Sequence, residues 1–194
     1  MPARFDAAIA AIDAANADDP STLEVRGEVR PKELAHADLM TEWLERLDPS
    51  ADEAQRLAAR AHHLRRWSLP RSSYPEGRAG YLRWRTALKK QHAEEVGQIL
   101  DEVGYDEATI EIVQCIIRKE GLGSDPRVQT HEDALCLVFL ETQLAALVAD
   151  QGDDKMVDII QKTAKKMSQA ALDHVGGIPM RARDQALIER ALDG

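Results

Sequence analysis

The chain has little of what holds small secreted or membrane-inserted proteins together. It contains two cysteines among 194 residues, which excludes a disulfide framework. Cys115 and Cys136 both fall in apolar, helix-like surroundings, predicting two reduced, buried thiols. No apolar run exceeds the seven residues of 134–140, far short of the ~20 that a membrane-spanning helix needs. Asp6 and Asp13 interrupt the N-terminal stretch 5–15, so no secretory signal is expected, and the expected location is the cytoplasm. Glycine and proline are scarce, 11 and 8 residues, which excludes collagen-like and extended low-complexity chains. Internal repeats are absent as well. With 44% apolar and 30% charged residues, the composition is that of a folded soluble protein, and the length suits one compact domain over residues 1–194.

Basic residues are also in the minority. The formal net charge is −9, which argues against a protein that coats DNA through its whole surface. The window 60–90 is the exception. It holds Arg60, Arg65, Arg66, Arg71, Arg78, Arg83, Arg85, Lys89 and Lys90 against Glu76 alone, an excess of +8, while the remainder carries −17. Trp67, Tyr74, Tyr81 and Trp84 lie in the same window. A cationic, aromatic segment inside an acidic chain points to an anionic ligand. For any one of its arginines, pairing with the acidic remainder is the ordinary alternative.

Strand-like alternation is missing, and helical spacing predicts an all-α fold of about eight helices: 2–16, 32–47, 51–66, 78–103, 107–119, 131–149, 155–167 and 180–192. Ser50, Asp106 and Thr130 stand where N-caps belong, and Gly104 and Gly121 follow helix ends. Segments 17–30, 68–77 and 121–129 read as loops.

Several polar residues fall on faces that should be buried. His36 lies on the stripe of Met40, Trp43, Leu44 and Leu47, and His92 lies near the centre of the face with Tyr81, Leu88, Val96, Ile99 and Val103. Asp133 aligns with Leu137, Leu140, Leu144 and Leu147, so its carboxylate needs a partner. His62 and His63 sit off the stripe of Leu57, Ala58, Ala61 and Leu64, facing solvent or an internal polar cavity. Imidazoles and a carboxylate from separate helices make the donor set of a divalent transition metal, Fe, Mn or Zn, with His36, His62, His63, His92 and Asp133 as candidate ligands. The ordinary alternatives are hydrogen-bonded core histidines and, for Asp133, the third position of a capping box begun by Thr130. His131 and His174 read as ordinary loop or helix-start residues, and Cys136 as packing rather than a nucleophile.

Two resemblances follow. Arg60-Ala-His-His-Leu-Arg-Arg-Trp67, Pro70-Arg-Ser-Ser-Tyr-Pro75 and Arg78-Ala-Gly-Tyr-Leu-Arg-Trp-Arg85 occur with Asp125-Pro126, Val128-Gln-Thr130, Glu132-Asp-Ala134 and Leu137-Val-Phe-Leu-Glu141. Over nearly the whole chain this resembles the domain-of-unknown-function family 4202, a resemblance that by itself implies no activity. His36, the His62-His63 pair and Asp133 also follow the order of ligands in the HD superfamily of all-α, metal-dependent phosphohydrolases, with His92 as a further candidate. His63 stands where that family has aspartate. The resemblance implies an HD-like fold and a hydrolase acting on a small phosphorylated or nucleotide-like anion.

In that reading Arg65, Arg66, Arg71 and Arg78 hold the anion and Trp67, Tyr74 or Trp84 stack on it or cap the pocket. Glu141 orients an imidazole from behind. The loop 68–77, stiffened by Pro70 and Pro75, is expected to be ordered and to cover the cavity mouth. Lys162, Lys165 and Lys166 read as a solvated helix face. The alternative function is a non-catalytic RNA- or nucleotide-binding protein that uses the arginines and aromatics of 60–90.

Overall fold

The computed structural model describes residues 2–150 and 152–192. The elements run α1 (Pro2–Ala17), β1 (Thr22–Val25), β2 (Glu28–Pro31), α2 (Lys32–Leu47), α3 (Glu53–Arg60), two 3₁₀ turns (Arg66–Ser68 and Arg71–Ser73), α4 (Gly77–Glu102), α5 (Glu107–Arg118), α6 (Pro126–Thr142), α7 (Leu144–Asp150), α8 (Asp153–Ala164), α9 (Gln169–Val175) and α10 (Ala182–Leu192). The chain is therefore mostly helical, with ten α-helices among the described residues rather than about eight. None of them is long and apolar enough to cross a membrane.

The expected loop 17–30 contains an antiparallel hairpin that pairs Thr22 with Pro31 and Val25 with Glu28. Its two-residue turn, Arg26-Gly27, has φ of 53° and 84°, the doubly left-handed turn that matches the twist of paired strands. Four-residue strands are too short for their alternation to register as a pattern. Beyond the hairpin, buried Asp19 accepts from the Ser21 and Glu33 amides (2.8 and 3.0 Å), which fixes the first turn of α2 although Pro31 itself provides no cap.

Several helix boundaries differ from expectation, the first three for evident local reasons. Asp52, not Ser50, caps α3, in a reciprocal box with Gln55. That helix stops at Arg60 instead of continuing to Arg66. Continued helix would splay His62 and His63 by 100° about the axis. The chain instead turns, with Leu64 N donating to the Ala61 carbonyl and Arg66 N to the His63 carbonyl (both 3.0 Å), and the two rings end 4.5 Å apart. Arg65 completes the turn in the left-handed region, φ 47°, its amide donating to Asn16 Oδ1. The next difference is α6, which starts at Pro126 under an Asp125 cap, not at His131 under Thr130. Thr130 Oγ1 donates back to the Pro126 carbonyl inside the helix. The segment expected as 131–149 is divided at Gln143, the helix expected at 155–167 is α8, which ends at Ala164, and an unforeseen α9 capped by Ser168 follows it.

Two apolar clusters form. One joins Leu39, Met40, Trp43 and Leu44 of α2 to Leu137 and Leu140 of α6, Met156 and Ile160 of α8, and Leu187 and Ile188 of α10. The other joins Ile12 of α1, Leu57 of α3, Val96 and Leu100 of α4, and Val113, Ile116 and Ile117 of α5. Each such side chain contributes about 1.5–3 kcal/mol by leaving water. The elements carrying the histidines come from both clusters, so apolar packing on either side brings polar side chains into the interior between them.

Candidate metal centre and anion cavity

Glu33 and His36 are one helical turn apart on α2, and the turn after α3 brings His63 to them. Ligand atoms of these three side chains lie within 4.8 Å of one another, with Glu33 and His36 buried. His63 Nδ1 meets Glu33 Oε2 at 3.1 Å, and the His36 and His63 rings stack at 4.1 Å. Both ring nitrogens of His36 are buried without a hydrogen-bond partner, an unfavourable state for groups that could coordinate an ion. Burial, with Arg66 nearby, pushes the His36 pKa down to about 3, so the ring is neutral and its lone pair available. Burial pushes Glu33 up to about 7 despite the opposing Arg66. The group could hold a divalent ion. Bonds of ~2.0–2.2 Å require only modest closing of the three side chains.

Three further histidines, His62, His92 and His131, lie next to this group. His62 Nδ1 lies 2.7 Å from His131 Nε2, which requires one neutral ring to donate to the other, and burial lowers the pKa of both. His92 on α4 stands 5.8 Å from His63, ring centroid to ring centroid, and burial lowers its pKa to about 3. Its Nε2 and His131 Nδ1 are buried without partners.

Cations surround this polar interior. A narrow chamber of about 20 Å³ is lined by His62, His63, His92, Arg66, Arg85, Lys89 and Lys119 among others. A wider one of about 230 Å³ is lined by His63, Arg66, Tyr81, Arg85, Cys136 and Lys166, with apolar Leu135, Phe139 and Ile159. Lys119 and Lys166 both pair with Glu132, which is 2% exposed. Burial would raise the Glu132 pKa, but the two lysines hold it down at about 2. Burial and the carboxylate of Glu132 push the Cys136 thiol up to about 12, so it stays protonated. Cys115, expected to be buried, is only partly so and bonds to Glu111 and Glu120.

The structure distributes the residues singled out from the sequence unevenly. His36, His62, His63 and His92 share one interior, as do His131 and Glu33, which the sequence reading passed over. Glu33 precedes His36 by three residues, a spacing that puts both on one face and was a usable signal. Asp133 is not in the ligand group. It accepts from Ser168 N, Ser168 Oγ and Gln129 Nε2, at 2.8, 2.5 and 3.0 Å. Glu141 accepts from Trp43 Nε1 and Arg26, at 2.8 and 3.1 Å, and no imidazole is among its partners.

Of the proposed anion-binding side chains, Arg66 lines both chambers, its guanidinium 4.7 Å from the Trp84 ring centroid. Trp84 is buried and donates its indole N–H to the Leu69 carbonyl, so its face is not free for a base. Arg65 pairs with Glu95, and Arg71 donates to the Tyr74 and Pro75 carbonyls within its own loop. Arg78 is exposed. Trp67 and Tyr74 line neither chamber, and no residue of the loop 68–77 does, so that loop folds on itself without walling the cavity. Lys166, expected on a solvated face, reaches inward to Glu132 instead.

Fold and site together define a mostly helical protein with a buried imidazole and carboxylate group beside a cationic cavity. Residues 6–188 match the family model described as Domain of unknown function (DUF4202), and the chain belongs to that family. No curated protein and no solved structure matches it. The likeness to the HD superfamily therefore rests on the order of sequence positions alone.

Proposed function

We propose that the chain is a metal-dependent hydrolase of a small phosphorylated anion, with Glu33, His36 and His63 holding a divalent transition metal such as Fe, Mn or Zn. The observation that carries this reading is the convergence of those three ligand groups, His36 having two unpartnered buried nitrogens, at the wall of a cavity lined by arginine and lysine. Such an ion, when bound, lowers the pKa of water and polarises a phosphoryl oxygen. The chain's own residues do the rest. His63 belongs both to the ligand group and to the cavity wall, which makes it the point of contact between ion and substrate. Arg66, on the same wall, offers forked donors to substrate oxygens. The non-catalytic RNA-binding alternative has less support, because buried Trp84 is engaged with backbone and Arg71 with its own loop. The test is elemental analysis of purified protein, followed by a screen of phosphomonoesters for released phosphate. Near-stoichiometric metal, lost in His36→Ala and His63→Ala together with hydrolysis, is expected. Metal-free wild-type protein after growth in supplemented medium, or equal metal in both variants, overturns the reading.

A further inference from the structure

The two chambers share His63, Arg66 and Arg85, and the charge around them is unbalanced. Arg66, Arg85, Lys89, Lys119 and Lys166 line one or both chambers. Glu132 serves two of these cations, and Glu33 reaches only to 4.0 Å from Arg66. Among the described residues no carboxylate pairs with Arg85 or Lys89, although both are partly buried, and the one side-chain hydrogen bond of Arg85 goes to Tyr81 Oη at 3.2 Å. Partly desolvated cations without counter-ions are unfavourable until an anion joins them. The wider chamber has a different wall, where Leu135, Phe139 and Ile159 offer apolar surface.

We propose that the two chambers form one binding site for a small phosphomonoester, its phosphate held where they meet by Arg66 and Arg85 with Lys89 on the narrow side, and its organic group packed on Leu135, Phe139 and Ile159. The assignment rests on the reading that the substrate is phosphorylated, and it adds where each end of that substrate lies. Arg66 and Arg85 suit the phosphate because guanidinium donors pair with its oxygens in a fork, while Lys89 adds a point charge. A chamber of about 230 Å³ takes a ring-sized group with its phosphate. It is below the usual range for large ligands, and single-stranded nucleic acid needs an open groove with exposed stacking faces.

The experiment is calorimetric titration of the metal-stripped full chain with inorganic phosphate and with phenyl phosphate. Wild-type protein should bind both, phenyl phosphate at least tenfold more tightly because the ring leaves water. Arg85→Met should weaken both at least tenfold while leaving metal content after reloading unchanged, and Lys89→Met gives a second reading should the first variant fold poorly. Lys162→Met, an exposed lysine paired with Asp158, should stay within twofold of wild type. Ile159→Trp, which fills the apolar chamber, should weaken phenyl phosphate and spare inorganic phosphate. No binding without metal, equal effects of Arg85→Met and Lys162→Met, or no preference for the ring overturns the proposal. Metal that never binds, alongside phosphate binding that depends on Arg85, instead overturns the hydrolase reading and leaves the site standing.

Discussion

Asp133 ties α6 to the start of α9, where its two oxygens take the Ser168 amide, the Ser168 hydroxyl and the Gln129 amide. At 3% exposure these charge-assisted bonds cannot be replaced by water. Asp133→Ala should therefore cost about 2–4 kcal/mol in urea unfolding and leave metal content unchanged. His36→Ala should do the reverse in metal-free protein, costing little beyond lost packing while abolishing metal retention. Urea melts and elemental analysis on the same preparations separate the two. The sequence made the need of Asp133 for a partner legible, because it heads a leucine stripe, but helical periodicity cannot say which element supplies that partner. His36 and His92 were legible from their stripes. His131 and Glu132 were not, because placing the N-cap at Thr130 left both in a first turn, whereas the Asp125-Pro126 start puts them in the buried second turn.

At the scale of elements, the loop between α3 and α4 is built around backbone carbonyls. Arg71 donates to those of Tyr74 and Pro75 at 2.8 and 2.9 Å, and Trp84 donates to that of Leu69 at 2.9 Å. Gly80 on α4 lets the loop lie against the helix, since a Cβ there would stand 1.8 Å from the Pro75 oxygen. Backbone cannot yield as a flexible side chain can, so Gly80→Ala should destabilise by about 2–3 kcal/mol despite the better helix propensity of alanine. Its signature in hydrogen exchange should be faster exchange of the Ser73 and Tyr74 amides, which in the native loop bond to the Pro70 and Arg71 carbonyls. Unchanged exchange there with a lowered melt would place the damage elsewhere. Pro70 and Pro75 made an ordered loop legible. The role of Arg71 was hidden, because a guanidinium that holds a loop together and one that holds an anion look alike until the neighbouring carbonyls are placed.

For the whole molecule, charge and burial combine into a dependence on acidity. The basic window 60–90 was visible as a local excess, yet folding divides it. Arg60 pairs with Asp13 and Asp38, Arg65 with Glu95, and only Arg66, Arg85 and Lys89 line the chambers, joined there by Lys119 and Lys166 from outside the window. The histidines are drawn into an interior bounded by these cations. His36, His62, His63, His92 and His131 all have pKa values lowered first by burial, to about 3 for His36, His92 and His131. The unfolded chain protonates the same rings near 6.5. Between these limits the unfolded state binds more protons, so stability rises with pH and is lost as pH falls below about 6.5. Glu33 acts in the opposite sense. Its folded pKa of about 7 lies above the ordinary 4.5, so acidification through that window favours the folded state by one group against five. Glu132, held at about 2, contributes stability that begins to fade only below about pH 4.5. At roughly 1 kcal/mol per imidazole for one pH unit below 6.5, metal-free protein should lose a few kcal/mol between pH 7.5 and 5.5. Urea midpoints at those two values check the sign, and His92→Gln should flatten the dependence by removing one of the five rings. A midpoint that holds or rises on acidification would mean that the rings are already charged in the native state, contrary to their burial among arginine and lysine.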